Sequence, residues 1–167
     1  EVSTLLAKLT KSEPGARICD PTCGSGSLLI KAGKEVGSNN FSLYGQEANG
    51  STWALAVMNM FLHGIEEFQI ERGNTLSDPA FMEDDQLMTF NIILANPPYS
   101  IKAWNRKSFA TDLYGRNIWG TPPQGCADYA FQQHIHKSLD KQNGRSITLW
   151  PYGVLFRDSE REMRQRM

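Results

Sequence analysis

The sequence of 167 residues lacks the features that mark membrane and secreted proteins. It has no run of 18 apolar residues, which excludes a membrane-spanning helix. Its first residues lack the basic and apolar segments of a signal peptide. Cysteine is scarce: Cys19, Cys23 and Cys126 form no CxxC pair, which is typical of reduced thiols in the cytoplasm. We therefore expect a cytoplasmic protein without a membrane anchor.

The sequence also lacks an excess of charge of either sign. There are 17 Lys and Arg residues against 18 Asp and Glu residues, a formal net charge of -1. Such a balance argues against nucleic-acid binding by bulk electrostatics alone, although a domain that borrows affinity from a partner remains compatible with it. Apolar residues make up 40% and charged residues 21%, which excludes a disordered or fibrous chain.

Short apolar segments alternate with helical patterns, which predicts an α/β fold with a mostly parallel sheet. Five strands with crossover connections are predicted, at residues 16–20, 41–47, 68–72, 91–95 and 145–151. Helices are predicted at residues 2–9, 27–36, 51–64, 126–142 and 158–167, and a loop or short helix at 79–86. We expect the apolar stripe of the third helix to lie in the core (Trp53, Val57, Met60 and Phe61) and the charged last helix to be exposed.

Two predicted strand ends carry residues suited to a nucleotide. Asp20 leads into a turn with Gly24 and Gly26 and then a helix, which is the geometry of a nucleotide cradle. Glu47 ends the next strand, where a carboxylate can accept from both ribose hydroxyls. An ordinary turn and a solvated Glu explain each feature alone, but the pair favours binding. The turn does not match GxGxxG, and the lack of GK[ST] excludes a P-loop. Asn74, after the third strand, is able to bond an adenine edge or simply to form a Gly-Asn turn.

The most specific motif is Asn96-Pro97-Pro98-Tyr99, directly after the buried strand NIILA. The two prolines fix the backbone and remove two hydrogen-bond donors. The Asn96 side-chain oxygen and the Pro97 carbonyl can therefore both accept from one amino group. Tyr99 offers a flat face on which a planar ring can stack. A Pro-Pro turn that merely ends a strand is the less specific explanation.

These motifs resemble the class I S-adenosylmethionine-dependent methyltransferases, in particular adenine-N6 DNA methyltransferases. The longer stretches are similar to the modification (M) subunit of type I restriction-modification systems: DPTCGSGSLLI, LYGQEANGSTWALAVMNMFLHGI, GNTLSDP, ILANPPYS, ADYAFQQH and WPYGVLFR. They follow the family's order from Ala16 to Arg157. The resemblance implies a three-layer, doubly wound Rossmann-like core in one domain, residues 1–167, cut from a longer chain before the last strands.

The resemblance also implies a set of site residues and partners. The turn after the first strand would wrap the methionine part of S-adenosyl-L-methionine, with Glu47 at the ribose and Asn74 near the adenine ring, while Asp128 would lie near the pocket for a flipped target adenine. The implied cofactor residues are Asp20, Pro21, Thr22, Cys23, Gly24, Ser25, Gly26, Glu47, Asn74 and Asn96. The implied catalytic residues are Asn96, Pro97, Pro98 and Tyr99. The implied partners are DNA, a specificity subunit, a restriction subunit and, as a further candidate, a second M subunit.

Several alternatives stay open at this point. Protein-glutamine and some RNA amino-group methyltransferases use the same NPPY motif, because a glutamine amide also presents an amino group. A catalytically incompetent module that only binds the cofactor or a partner is the non-enzymatic alternative. Residues 100–125 mix basic and aromatic side chains, which suits a strand-contacting loop and a mobile solvated loop equally well. His134 and His136 do not share a helix face, so we expect no metal site.

Overall fold

The computed structural model describes residues 1–167 and confirms the five predicted strands. The strands are β1 (Ala16–Asp20), β2 (Phe41–Glu47), β3 (Phe68–Arg72), β4 (Met82–Glu83), β5 (Gln86–Leu87), β6 (Ile92–Ala95) and β7 (Arg145–Thr148). The helices are α1 (Val2–Leu9), α2 (Ser27–Glu35), α3 (Gly50–Leu62), α4 (Arg106–Ala110), α5 (Asp128–Lys137) and α6 (Arg161–Arg166), with 3-10 turns at Tyr152–Leu155 and Asp158–Glu160.

Five strands form one parallel sheet in the order β3-β2-β1-β6-β7. The first three strands are added in one direction from β1, and β6 and β7 are added on its other side. The strand order therefore reverses between β1 and β6. In open α/β sheets, ligands bind beyond the carboxyl ends of the strands at such a reversal. Asp20 ends β1 and Asn96 follows β6, so the fold brings two of the predicted site residues to this point.

Helices cover both faces of the sheet, as the doubly wound prediction requires. On one face, α1, α2 and α3 pack with alternating strand residues such as Ile18, Leu43 and Ile92. On the other face, Ile135 of α5 packs with Cys19 and further strand residues. Strand residues alternate between faces, and the fully buried β6 has apolar side chains toward both layers. The predicted three-layer architecture is thus confirmed.

Three local predictions were wrong. Residues 79–86, predicted as a loop or short helix, contain part of the β4–β5 hairpin. Asp84 and Asp85 turn it with positive φ angles of 48° and 60°, a conformation that Asp tolerates better than most residues. Phe61, predicted in the core, is 69% exposed and packs edge-on against the ring of Phe68, while its neighbour Met60 takes the buried position. The helix expected at 126–142 begins later and ends earlier, as α5.

The C-terminal segment and the long loop are more ordered than predicted. Glu160 is fully buried and Met163 nearly so, so the last helix is not simply an exposed end. Residues 100–125 contain α4, and Arg116 is buried in an ion pair with Asp112 at 2.6 Å. Arg116 also donates to the carbonyls of Thr75 and Leu76, so this basic side chain is not free for a ligand. The loop is therefore anchored to the segment that follows β3.

No helix in the structure has the length and apolar character needed to cross a bilayer.

Candidate active site

The turn at residues 21–26 forms one wall of the site through its own backbone. The Gly26 amide donates to the Cys23 carbonyl at 2.8 Å, and Asn59 of α3 donates its side-chain amide to the Ser25 carbonyl at 2.9 Å. Gly26 has a φ of 77°, and an added Cβ would lie 2.7 Å from the Met60 side chain. Only glycine meets both conditions without strain. The chain can thus enter α2 in close contact with α3.

Glu47 joins this turn to the second strand. One carboxylate oxygen accepts from the Gly24 amide at 3.0 Å, and the other accepts from the Asn49 amide at 2.7 Å. The two bonds fix the carboxylate at the carboxyl end of β2, half-buried between the Gly-rich turn and the start of α3. Each oxygen keeps a free lone pair. The side chain is therefore oriented to accept hydrogen bonds from two neighbouring hydroxyls.

Asp20 lies beneath the turn with its side chain almost completely buried. It accepts from the Thr22 amide at 2.9 Å and from the Thr22 hydroxyl at 3.3 Å. Burial raises the pKa of the Asp20 carboxyl from 3.8 to about 7, the Thr22 bonds lower it in part, and the charge of Glu47 raises it further. Near neutral pH the Asp20 side chain is therefore a mixture of the protonated carboxyl and the carboxylate. A nearby cation would shift it toward the carboxylate.

The predicted residue Asn74 lies at the rim of the same site. Its side-chain oxygen accepts from the Leu76 amide at 3.0 Å, which leaves its amino group free to donate. The next residue, Thr75, is buried and donates its hydroxyl to the Pro21 carbonyl, which ties this loop to the Gly-rich turn. Gln46 braces the loop from β2, donating to the Asp78 carbonyl and accepting from the Ala80 amide. Asn74 thereby lines the same cavity as Glu47.

Two cavities meet at the carboxyl edge of the sheet. One, of about 340 Å³, is lined by Glu47 and Asn74, among others, and the other, of about 570 Å³, by Asp20 and Ser25. Thr22, Gly24 and Asn96 line both of them. A third concavity, of about 480 Å³, lies at the opposite edge around Glu13 and Arg145, away from every predicted site residue. The two joined cavities are the candidate site, because ligands bind beyond the carboxyl ends of parallel strands.

The motif after β6 presents its polar groups toward this junction. Asn96 and Tyr99 are exposed, whereas Pro97 is buried against the sheet. The Tyr99 hydroxyl donates to the Asn96 side-chain oxygen at 2.7 Å. Burial raises the pKa of the Tyr99 phenol, and the charge of Asp128 raises it further, so Tyr99 stays a donor near neutral pH. One lone pair of the Asn96 oxygen is left for a ligand amino group.

The structure brings most of the predicted residues together. All of them except Gly26, Pro97 and Tyr99 line at least one of the two joined cavities, and Tyr99 bonds to Asn96 beside them. Cys23, predicted with the cofactor residues, has a buried side chain that belongs to the apolar core. Burial, and next the charge of Asp20, raise the pKa of the Cys23 thiol. Cys23 can therefore offer a ligand its backbone but not a reactive thiolate.

The sequence did not reveal the residues that support these side chains. Thr75 and Gln46 brace the cofactor side, and no pattern in the sequence singles out either one. Behind the 96–99 motif, Arg157 forms ion pairs with both Asp128 and Glu160. Arg157 ends the stretch WPYGVLFR, which carries part of the family resemblance but no pattern that marks Arg157 itself. Support of this kind depends on contacts between residues far apart in sequence, so spacing cannot signal it.

The fold is that of the class I methyltransferases. A class I S-adenosylmethionine-dependent methyltransferase from Listeria monocytogenes, described as putative, has a similar fold, with a TM-score of 0.72 over 98% of this chain and 48% of that one. Its sequence is 15% identical, so the likeness concerns the fold alone.

The family follows from closer matches. The model of the N-6 DNA methylase family matches residues 1–167, and the chain belongs to this family. It is 33% identical to the type I restriction enzyme HindI methylase subunit of Haemophilus influenzae, over 96% of this chain and 36% of that subunit. It is 32% identical to the type I restriction-modification system methyltransferase subunit from Streptococcus thermophilus, with a TM-score of 0.89. This match covers 99% of this chain and 36% of that one. The chain thus spans about a third of the length of these relatives.

Proposed function

We propose that this chain is the catalytic domain of a type I modification subunit that transfers a methyl group from S-adenosyl-L-methionine to the N6 atom of adenine in DNA. The 167 residues would form one domain of a longer subunit. The observation that carries the proposal is the position of Asn96. Its side chain borders both joined cavities, at the point where a cofactor beside Asp20 and Glu47 would meet a target held by the 96–99 motif.

The residues on the cofactor side fit S-adenosyl-L-methionine in shape and charge. Gly24 lines both cavities without a side chain, so its backbone is open to a ligand, and the Glu47 carboxylate suits a pair of ribose hydroxyls. Asn74 has a free amino group for the adenine ring. Asp20 supplies a buried acid that a cationic ligand would ionise. When bound, the cofactor supplies an electrophilic methyl group.

The target side suits an aromatic amino group. The nitrogen of such a group is a weak nucleophile because its lone pair is delocalised into the ring. Asn96 Oδ1 and the Pro97 carbonyl would accept its two hydrogens and favour a pyramidal nitrogen with a directed lone pair. This is catalysis by positioning and by preorganised acceptors. Asn96 would not act as a general base, since a carboxamide takes up no proton near neutral pH.

Tyr99 would offset part of the cost of taking the base out of the duplex. Extrusion of a base costs a few kcal/mol, and stacking on an aromatic side chain returns about 1–3 kcal/mol. The Tyr99 ring is 42% exposed, so a face is accessible without rearrangement of the core. Its hydroxyl already orients Asn96 before a base arrives. Tyr99 would thus serve both as the stacking surface and as an aid to the acceptor.

The balanced charge of the chain suits a subunit that obtains most of its DNA affinity from partners. We propose that a specificity subunit reads the DNA sequence and that restriction subunits join the complex, with a second modification subunit as a further component. The proteins similar to this chain carry type I restriction systems in their names, which supports this assembly. The three free cysteines suit the reducing cytoplasm, where we place the protein.

The experiment that tests the proposal measures the methylated product. The full-length subunit, assembled with its specificity subunit, is incubated with S-adenosyl-L-methionine and unmethylated genomic DNA, and the DNA is digested to nucleosides for mass spectrometry. We expect N6-methyl-2′-deoxyadenosine with the wild type and at least about 100-fold less in the same time with Asn96→Ala. Methylated glutamine or RNA in parallel reactions, with no methylated DNA, would favour the alternative substrates. Cofactor binding without any methylated product would favour the incompetent module.

A further inference from the structure

We propose that Arg157 is a positioning residue for the target site, acting through Asp128 to fix the backbone that follows Tyr99. This inference rests on the proposed function, because it concerns how the 96–99 motif is held for its substrate. It names a role for two charged residues, Arg157 and Glu160, that do not touch either cavity. The proposal depends on a continuous set of contacts from the C-terminal segment to Ser100.

The first contact is a hydrogen bond to the end of the motif. Ser100 follows Tyr99 and has a φ of 52°, a left-handed conformation that is strained for a residue with a side chain. Its amide donates to Asp128 Oδ1 at 2.8 Å. Asp128 is 1% exposed and lies in the first turn of α5, a rigid element packed on the sheet. The bond therefore ties a strained backbone to a fixed point.

The second contact is the ion pair that holds Asp128. The other carboxylate oxygen, Oδ2, accepts from Arg157 Nη2 at 2.5 Å. The same guanidinium donates through Nε to Glu160 Oε2 at 2.7 Å, and Glu160 is completely buried. Arg157 also reaches the Ser100 hydroxyl through Nη1, at 3.4 Å. One cation thus contacts both buried carboxylates and the residue after the motif.

The charge balance explains why an arginine is needed there. Asp128 and Glu160 would repel each other in a buried place without a cation between them. Burial lowers the pKa of the Arg157 guanidinium, but the two carboxylates more than offset this and hold it above its ordinary value. Cys126, Asp128 and Glu160 offer ligand atoms within 4.8 Å of one another, as a metal site would. Arg157 bonds one oxygen of each carboxylate, so the cluster serves as an ion pair network.

A structural purpose alone explains the network less well than positioning does. The network contacts the chain at Ser100, one residue beyond Tyr99, and Tyr99 in turn bonds to Asn96. A shift at Ser100 would therefore move both the stacking ring and the acceptor. Misplacement of about 1 Å can lower a rate by about 100-fold. We expect the network to affect turnover far more than cofactor affinity.

The test compares Arg157→Gln with Arg157→Lys and with a control, Arg145→Gln, in the assembled full-length enzyme. Arg145 forms an exposed ion pair with Glu13 at 3.8 Å, on the far side of the sheet. Methylation kinetics give kcat, and calorimetry gives the Kd of S-adenosyl-L-methionine. We expect Arg157→Gln to lower kcat about 10- to 100-fold with an unchanged cofactor Kd. Arg157→Lys should restore part of the rate, and the control should behave as the wild type.

A second readout does not depend on activity. Hydrogen exchange followed by mass spectrometry reports on the Ser100 amide, which should exchange at least about tenfold faster in Arg157→Gln than in the wild type. Asp128→Asn combined with Arg157→Gln should lower kcat no more than Asp128→Asn alone, because both act through one bond. Unchanged exchange at Ser100, or a parallel loss of kcat and cofactor affinity, would overturn the inference. A wild type that methylates no DNA would refute the proposed function, while the exchange result would still decide whether Arg157 restrains the turn.

Discussion

The two halves of the site are held in place by different means. On the cofactor side, Glu47 and Asp20 are fixed by backbone amides of the Gly-rich turn and its neighbours. On the target side, the 96–99 motif is fixed by side chains: the Tyr99 hydroxyl, the Asp128 carboxylate and the Arg157 guanidinium. The first half depends on glycine and main-chain geometry, and the second on buried charge.

This difference suits the two ligands. A small cofactor needs a close backbone approach, which a glycine turn at the reversal of strand order provides. A base that must leave a duplex needs an exposed ring and acceptors that stay in position until it arrives. Charged side chains are able to hold such an exposed motif from behind without filling the space in front of it. If this account is correct, substitutions on the target side should mainly lower the methylation rate, and substitutions on the cofactor side should mainly weaken cofactor binding.

The largest effect is expected for Asn96→Ala, which removes an acceptor from the target half. The methylation rate should fall by about 10²–10³-fold, the range seen when a preorganised polar group is removed from an active site. The Kd for S-adenosyl-L-methionine should change far less than the rate, because the Asn96 side chain bonds to Tyr99 and to neither Glu47 nor Asp20. Single-turnover kinetics and calorimetry check the two quantities. Equal losses of rate and of cofactor affinity would mean that the halves are not separable.

The reverse effect is expected for Glu47→Gln in the cofactor half. Loss of the charge should weaken cofactor binding about 10- to 100-fold, since a hydrogen bond to a charged group contributes about 1.5–3 kcal/mol. The rate at saturating cofactor should change little. Glu67→Gln is a matched control, because Glu67 is exposed and bonds only to the Ser42 hydroxyl. A lower saturated rate with normal cofactor affinity would contradict the assignment.

A smaller effect is expected from pH, through Asp20. Its pKa is raised from 3.8 to about 7, so in the folded protein it keeps its proton where the unfolded chain has lost it. Its contribution to stability is full below pH 3.8 and is lost as the pH rises toward about 7. A cationic cofactor favours the carboxylate, so affinity should rise with pH through this range, with proton release on binding. Calorimetry in buffers of different ionisation enthalpy measures that release, which Asp20→Asn should eliminate.

The smallest effect is expected for Tyr99→Phe. The ring stays available for stacking, but the 2.7 Å bond to Asn96 is lost. A neutral hydrogen bond contributes about 0.5–1.5 kcal/mol, so kcat/KM should fall by about 2- to 10-fold. Tyr99→Ala should fall further, because it loses the stacking surface as well. Steady-state kinetics with the two variants separate the function of the hydroxyl from that of the ring. Identical losses of kcat/KM in both variants would mean that the ring does not stack on the base.

Sequence reasoning succeeded where the chain marks its own geometry. Apolar segments that end on Asp20, Glu47 and Asn96 predicted the parallel strands and the edge at which these residues meet. The β4–β5 hairpin was not predicted because its turn, at Asp84 and Asp85, contains no glycine, the residue that usually indicates such a turn. The buried ion pair of Arg157 and Glu160 was not predicted, because a charged segment is normally exposed to solvent. Burial by residues distant in sequence also produces no periodic pattern. The supported residues were therefore predictable, whereas their support was not.

The most direct test is a structure of the assembled enzyme with DNA and a non-reactive analogue of S-adenosyl-L-methionine. The measurement is the distance from the target N6 atom to Asn96 Oδ1 and to the Pro97 carbonyl oxygen. The account predicts both within hydrogen-bond distance, about 2.7–3.2 Å, with the base stacked on Tyr99. A target base held elsewhere, or an Asn96 side chain still turned to Tyr99 alone, would contradict it.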